Sequence, residues 1–155
     1  MKHRTFTTFM RVWAPAIMLL SCICITTGLA AAAEFVSVVK DGVNLRSGPD
    51  TTHEILFQLP EGYPLQVLER KKEWLKVRDY ENDKGWIYGG LVDKTPHVIV
   101  KVKDGNIRSG PGTEYEKSGK VIRDVILRKT GAKGDWIKIS HPMLTGWIYK
   151  QLVWP

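Results

Sequence analysis

Ten residues of this 155-residue chain, of types that could contact a ligand, come as five recurring pairs. Arg46 and Trp74 return 62 residues later as Arg108 and Trp136; Trp86, Tyr88 and Leu91 return 61 later as Trp147, Tyr149 and Leu152. Aromatic rings offer flat platforms for sugars or extended peptides at little cost in side-chain ordering. A guanidinium can hold a carboxylate through two parallel hydrogen bonds. Groups that could drive catalysis do not recur in this way. After residue 33 the histidines are His53, His97 and His141, read as a loop, a linker and a loop residue, and none keeps a fixed offset from Ser47 or Ser109. Glu54 and Glu116 read as the one repeated acid. Both cysteines, Cys22 and Cys24, precede residue 34, so no thiolate nucleophile, thiolate metal site or disulfide is expected beyond it. Phosphate-loop and dinucleotide fingerprints are missing as well. The expectation is a protein that is not an enzyme, with no metal site and no cofactor.

The paired residues lie inside a duplication. Asn44-Leu45-Arg46-Ser47-Gly48-Pro49 returns as Asn106-Ile107-Arg108-Ser109-Gly110-Pro111, and Trp74-Leu75-Lys76-Val77 as Trp136-Ile137-Lys138-Ile139. Gly85-Trp86-Ile87-Tyr88 returns as Gly146-Trp147-Ile148-Tyr149, and Leu91-Val92 as Leu152-Val153. The blocks keep their order with a single-residue slip, which divides the chain into residues 1–33, a first unit at 34–93 and a second at 94–155. The joint, Asp93-Lys94-Thr95-Pro96-His97, reaches at most ~17 Å when extended, so the units are tethered side by side. No further domain is expected.

Apolar residues alternate with polar ones in each unit, the pattern of short strands. Leu75 and Val77 oppose Trp74, Lys76 and Arg78; Ile137 and Ile139 oppose Trp136, Lys138 and Ser140. Turn-forming runs separate the strands: Ser47-Gly48-Pro49-Asp50, Arg70-Lys71-Lys72-Glu73, Asn82-Asp83-Lys84-Gly85 and Gly131-Ala132-Lys133-Gly134-Asp135. No window carries a helical stripe. The fold class is therefore all-β, two small barrels in tandem. At this size a domain buries only ~60% of its unfolded surface, so each should be modestly stable.

The order N-L/I-R-S-G-P, W-x-K-V/I, G-W-I-Y-x-x-L-V resembles the bacterial SH3-like domain in tandem. The resemblance implies a strongly bent barrel of five to seven strands, with a short helical turn near Gly89-Gly90. It also implies a shallow groove holding Trp74, Trp86, Tyr88, Leu91 and Arg46, and in the second unit Trp136, Trp147, Tyr149, Leu152 and Arg108. Within that picture several placements stay open. Trp74 and Trp136 are either open to a ligand or covered by the N-x-R-S-G-P loop. Trp86 and Trp147 belong to the groove or to the core, while Tyr88 and Tyr149 are expected to be exposed. Arg46 and Arg108 either grip a carboxylate or buttress their loop and stack on the nearby tryptophan. His141-Pro142-Met143-Leu144-Thr145 replaces Asp79-Tyr80-Glu81-Asn82-Asp83-Lys84, so contacts from that loop should differ between the copies.

Residues 1–33 read as an export signal. Lys2, Arg4 and Arg11 precede and enter an apolar stretch from Val12 to about Ile25, small residues end it at Ala30–Ala33, and no acid occurs before Glu34. An uncleaved anchor is the first alternative, since the stretch approaches the ~20 residues that span a bilayer. Lipidation of Cys22 in Leu19-Leu20-Ser21-Cys22 is the second. Export and the resemblance together imply a non-catalytic binding module of the periplasm or cell envelope. Its ligand would be peptidoglycan, through the stem peptide, or alternatively a peptide of an envelope protein. Nucleic acid is disfavoured by export, and membrane contact is expected only with an uncleaved N-terminal segment or a lipidated Cys22. Charge separates the copies: residues 34–93 hold 8 Lys/Arg against 11 Asp/Glu, and residues 94–155 hold 12 against 5. The second unit could face an anionic surface, or the opposite charges could dock the barrels.

Overall fold

Alternating aliphatic and polar residues put one face of a strand toward a core and the other toward water, and this chain does so in the same order twice. The structure, a computed structural model, describes residues 32–155. The export signal expected over residues 1–33, with Cys22, lies outside the described residues except for Ala32 and Ala33. The first copy contributes β1 (Glu34–Val38), β2 (Val43–Arg46), β3 (Ile55–Leu59), β4 (Pro64–Lys71), β5 (Trp74–Arg78), β6 (Lys84–Tyr88) and β7 (Val92–Asp93). The second contributes β8 (His97–Val100), β9 (Asp104–Arg108), β10 (Lys117–Ile122), β11 (Ile126–Lys133), β12 (Trp136–His141), β13 (Leu144–Tyr149) and β14 (Val153–Trp154). Two antiparallel sheets result, ordered β3-β2-β6-β5-β4-β1-β7 and β10-β9-β13-β12-β11-β8-β14. A single 3-10 turn precedes the last strand of each, at Gly89–Leu91 and Lys150–Leu152.

The cores repeat position by position. Val36, Val38, Leu45, Leu59, Leu65, Leu75, Val77 and Ile87 are buried in the first sheet. Val98, Val100, Ile107, Val121, Leu127, Ile137, Ile139 and Ile148 take the same places in the second. Each such aliphatic side chain contributes roughly 1.5–3 kcal/mol on burial. Two positions differ: Val43 is matched by Gly105, and the buried Val153 by a half-buried Val92. β4 and β11 each slip register once, at Leu68 and Thr130, and a bulge of that kind bends a long strand so that it can serve a small barrel.

The turns are tighter than the turn-forming runs suggest. Strand pairing continues through Arg70, Lys71, Gly131, Ala132 and Lys133, leaving Lys72-Glu73 and Gly134-Asp135 as two-residue connections. Lys72 and Gly134 take the left-handed backbone there, with φ of 54° and 56°. Pairing also reaches His141 and Leu144, so the second unit closes this hairpin on Pro142-Met143 alone. His97, expected in the linker, is the first residue of β8 and stands opposite Arg128.

The acidic loop that only the first unit carries organises itself around Asp79. This buried carboxylate accepts from the amides of Glu81 and Asp83, each at 2.9 Å, and from the Tyr63 hydroxyl at 3.3 Å. Burial first, and then the Asp79 charge, push the Tyr63 phenol far above its usual range. The same loop reaches the second barrel: the Tyr80 hydroxyl donates to Asp124, and Glu81 lies 3.5 Å from Arg123. Burial, followed by that donation, raises Tyr80 to about 12. Ser37 Oγ donates to the Thr95 carbonyl at 2.7 Å, and Phe35 meets Trp154 edge to face with centroids 5.4 Å apart.

Close approach of β6 to β2, and of β13 to β9, explains the glycine of the G-W-I-Y block. A Cβ on Gly85 would sit 2.6 Å from Leu45 Cγ; on Gly146 it would sit 2.5 Å from Ile107 Cγ2 and 2.7 Å from the Arg108 carbonyl oxygen. Gly85→Ala and Gly146→Ala are each expected to destabilise by about 1–3 kcal/mol through forced displacement of a packed strand. Urea denaturation would read this as a lower midpoint, and an unchanged midpoint in both variants would contradict the packing described.

Candidate binding grooves

Register decides which side chains meet outside the barrel. Leu75 opposes Ile87 in the core, so their neighbours Trp74 and Tyr88 oppose each other on the outer face, as do Lys76 and Trp86. The second sheet repeats this with Trp136 opposite Tyr149 and Lys138 opposite Trp147. Ring centroids of Trp74 and Tyr88 are 5.8 Å apart at 67°, and those of Trp136 and Tyr149 are 5.6 Å apart at 55°. Such tilted contacts add ~0.5–1.5 kcal/mol beyond burial and hold the rings as a fixed wall. Tyr88 is 38% exposed, as expected, whereas Tyr149 is half-buried.

The loop after β2 or β9 forms the facing wall, and an arginine shapes it. Arg46 Nη1 donates to the carbonyls of Thr51 at 3.1 Å and His53 at 2.8 Å. Arg108 Nη1 does the same to Thr113 at 2.8 Å and Tyr115 at 2.6 Å. A backbone bond closes each loop, from Ser47 to Glu54 at 2.9 Å and from Ser109 to Glu116 at 3.0 Å. The glycine of S-G-P lies under a ring: a Cβ on Gly48 would be 2.0 Å from His53, and one on Gly110 would be 2.3 Å from Tyr115. Only the first loop has a carboxylate hub. Asp50 Oδ1 accepts from the Thr52 hydroxyl at 2.6 Å and amide at 2.9 Å and stands 2.7 Å from His53 Nδ1. The Thr52 hydroxyl, then His53, hold this carboxyl at about 2. Gly112 stands at that position in the second copy.

Between these walls lie two grooves of about 530 and 520 Å³. The first gathers Trp74, Tyr88, Leu91 and Arg46, and the second Trp136, Tyr149, Leu152 and Arg108. Eight of the ten expected residues therefore come together. Trp86 and Trp147 do not: they line neither groove and sit half-buried on the outer face, outside both cores. Lysine, not arginine, covers them, with Lys76 Nζ 5.8 Å and Lys138 Nζ 6.0 Å from the ring centroids. The arginines act as loop buttresses.

Two acids escape the sequence comparison because one is Glu and the other Asp. Glu73 and Asp135, 62 apart and each preceding a groove tryptophan, line the two grooves. Asp135 pairs with Lys150 at 2.7 Å, an interaction that raises the Lys150 pKa, whereas Glu73 has no ion-pair partner among the described residues. Lys40 and Asp50 complete the charged rim of the first groove, and Glu114 that of the second.

Two bent seven-stranded barrels, each with an aromatic pair facing an arginine-pinned loop, define a tandem SH3-like architecture. The chain belongs to the bacterial SH3 domain family, whose models match residues 41–93 and 101–155. YrvJ of Bacillus subtilis strain 168, provisionally named an N-acetylmuramoyl-L-alanine amidase, is 28% identical over 155 aligned positions, covering 88% of this chain and 30% of its own. LytH of Staphylococcus epidermidis RP62A, provisionally named a cell wall amidase, is 25% identical over 52 residues, 33% of this chain and 18% of its own. The chain spans less than a third of the length of these relatives. Among solved structures, an NlpC/P60 family protein from Bacillus cereus ATCC 10987 is distantly similar, matched over 78% of this chain and 56% of its own at 13% identity with a TM-score of 0.37.

The depressed Asp50 pKa sets a pH window. Its ordinary value is 3.8 and its folded value about 2, so its hold on the first loop is complete above the former and is lost as pH falls through the latter. In an NMR titration the Thr52 amide should shift with a midpoint near 2. A midpoint at the ordinary aspartate value would contradict the hub.

Proposed function

We propose that the protein is a binding module of the cell wall that seats peptidoglycan, through its stem peptide, in the two aromatic grooves. One observation carries the reading: the same groove is built twice by the same residue types, although the surroundings of the two copies differ in charge and in loop structure. The names of the relatives support the choice of ligand, one given a muramoyl-alanine bond and one the cell wall. Family membership and the export signal expected over residues 1–33 agree with an envelope location.

The chemistry of the walls suits an extended peptide. Trp74, Tyr88 and Leu91 offer an apolar side against which methyl groups and chain methylenes pack, and Lys40, Asp50 and Glu73 line the same groove with charges of both signs. A stem peptide carries both carboxylate and amine groups along a short chain, so it has partners for each. Arg46 and Arg108 spend one guanidinium nitrogen on the loop, and their role is to keep the groove open and rigid before the ligand arrives. Each shallow groove binds weakly, and two on one chain raise avidity where both are engaged at once. No bond is made or broken in this role.

Sedimentation of the protein with insoluble sacculi freed of phosphate polymers tests the reading at low and at high salt. Binding should survive high salt, because packing against aromatic rings is not screened as surface charge is. Trp74→Ala with Trp136→Ala should lower the pelleted fraction at least tenfold while the circular dichroism of the barrels is retained, and each single change should fall between. Pelleting undiminished in the double variant would overturn the groove assignment. A lack of pelleting by the unaltered protein would overturn the wall reading itself and turn the grooves toward a protein partner.

A further inference from the structure

Trp147 belongs neither to the second groove nor to the core, and its neighbours give it a different setting. Across adjacent strands Lys117 pairs with Arg108, Arg108 with Trp147, and Trp147 with Lys138. Cross-strand partners share a face, so these four side chains form one row over β10, β9, β13 and β12. At ~4.8 Å per strand, three steps put Lys117 about 14 Å from Lys138. Lys120, opposite Asn106, and Lys133, opposite Trp136, flank the row on the same face. Among the described residues, none of these five cations has an ion-pair partner.

The first barrel shows what the row looks like when it is neutralised. There the equivalent line reads Ile55, Arg46, Trp86, Lys76 and Glu69. Lys76 Nζ lies 3.9 Å from Glu69 Oε2, and the far end is apolar. In the second barrel Gly131 replaces the acid and Lys117 replaces the isoleucine. Both changes move the row toward positive charge, in the unit that carries 12 Lys/Arg against 5 Asp/Glu.

We propose that this row, which meets the second groove only at Arg108 and whose free cations are Lys117 and Lys138, is a second binding site for a linear polymer of polyol units joined by phosphodiesters. An uncompensated line of like charges attracts a ligand that is anionic and extended in one direction. Lysine ammonium groups serve as point charges for phosphate oxygens. The Lys138 ammonium over Trp147 occupies the ring face on which a nucleic-acid base or a sugar would stack, which leaves charge as the means of recognition. The choice of a wall polyol phosphate, rather than another polyanion, rests on the cell-wall reading above.

Binding of the purified protein to a synthetic, fluorescently labelled glycerol-phosphate polymer, followed by anisotropy over a salt series, tests the site. Affinity should fall steeply with salt, and Lys117→Glu with Lys138→Glu should weaken it at least tenfold. Lys117→Gln with Lys138→Gln, which leaves less repulsion, should weaken it by less while the melting temperature is unchanged. Lys76→Gln, the equivalent lysine of the first barrel, should leave it as it was. No binding at low salt, or equal losses from the Lys76 variant, would overturn the site. Tighter capture by polyglutamate, by vesicles of anionic lipid or by single-stranded DNA would overturn the choice of ligand. Sacculi freed of phosphate polymers report on the grooves alone, so failure of one site is distinguishable from failure of the other.

Discussion

In each barrel one guanidinium nitrogen donates to two carbonyls of the loop that follows it, and the binding face is organised around this clip. Besides the clip, each loop has one backbone bond at its base and a glycine pressed against His53 or Tyr115, and the first loop alone adds the Asp50 hub. Ordering a residue costs about 1–2 kcal/mol in backbone freedom. A hydrogen bond from a charged donor contributes about 1.5–3 kcal/mol before solvent exposure reduces it. Two such bonds are therefore of the size needed to fix a few residues. Once fixed, the loop stands across from the Trp–Tyr pair, and a groove exists without any ligand to shape it. Released, it would leave only an aromatic pair on an open sheet.

Around that shared device the two copies have diverged in ways that follow from single residues. Asp50 gathers the first loop on a carboxylate, and Gly112 removes the hub from the second. The Asp79–Asp83 loop reaches across to Arg123 and Asp124, whereas the matching hairpin of the second barrel is closed by Pro142-Met143. The expected difference between these loops is real, and it serves contact between barrels. The charge asymmetry has two expressions as well: Glu81 against Arg123 between the barrels, and the unpaired row on the outer face of the second.

Period-two alternation was enough to put Trp74, Lys76 and Tyr88 outside and Leu75, Val77 and Ile87 inside, because strand geometry leaves no other choice once the barrel is assumed. It could not say which outer residue stands over which. That depends on register, and register puts Lys76 against Trp86 and leaves Tyr88 to Trp74. The groove and the lysine-covered tryptophan are thus separate features of one face. Glu73 and Asp135 were visible in the sequence at a spacing of 62, but matching by identity passes over a Glu–Asp pair. The ring over the S-G-P glycine was hidden for the same reason, since His53 in one copy is Tyr115 in the other. Contacts between the barrels left no trace in the duplication, because comparing copies reveals what they share.

The most direct test of the account is a two-dimensional NMR titration with a soluble disaccharide-peptide fragment of peptidoglycan. The indole N–H signals of Trp74 and Trp136 should shift together with the amides of Thr51 and Thr113, while those of Trp86 and Trp147 stay in place. Shifts confined to Trp86, Trp147 or the loops between the barrels, with the two grooves silent, would contradict it.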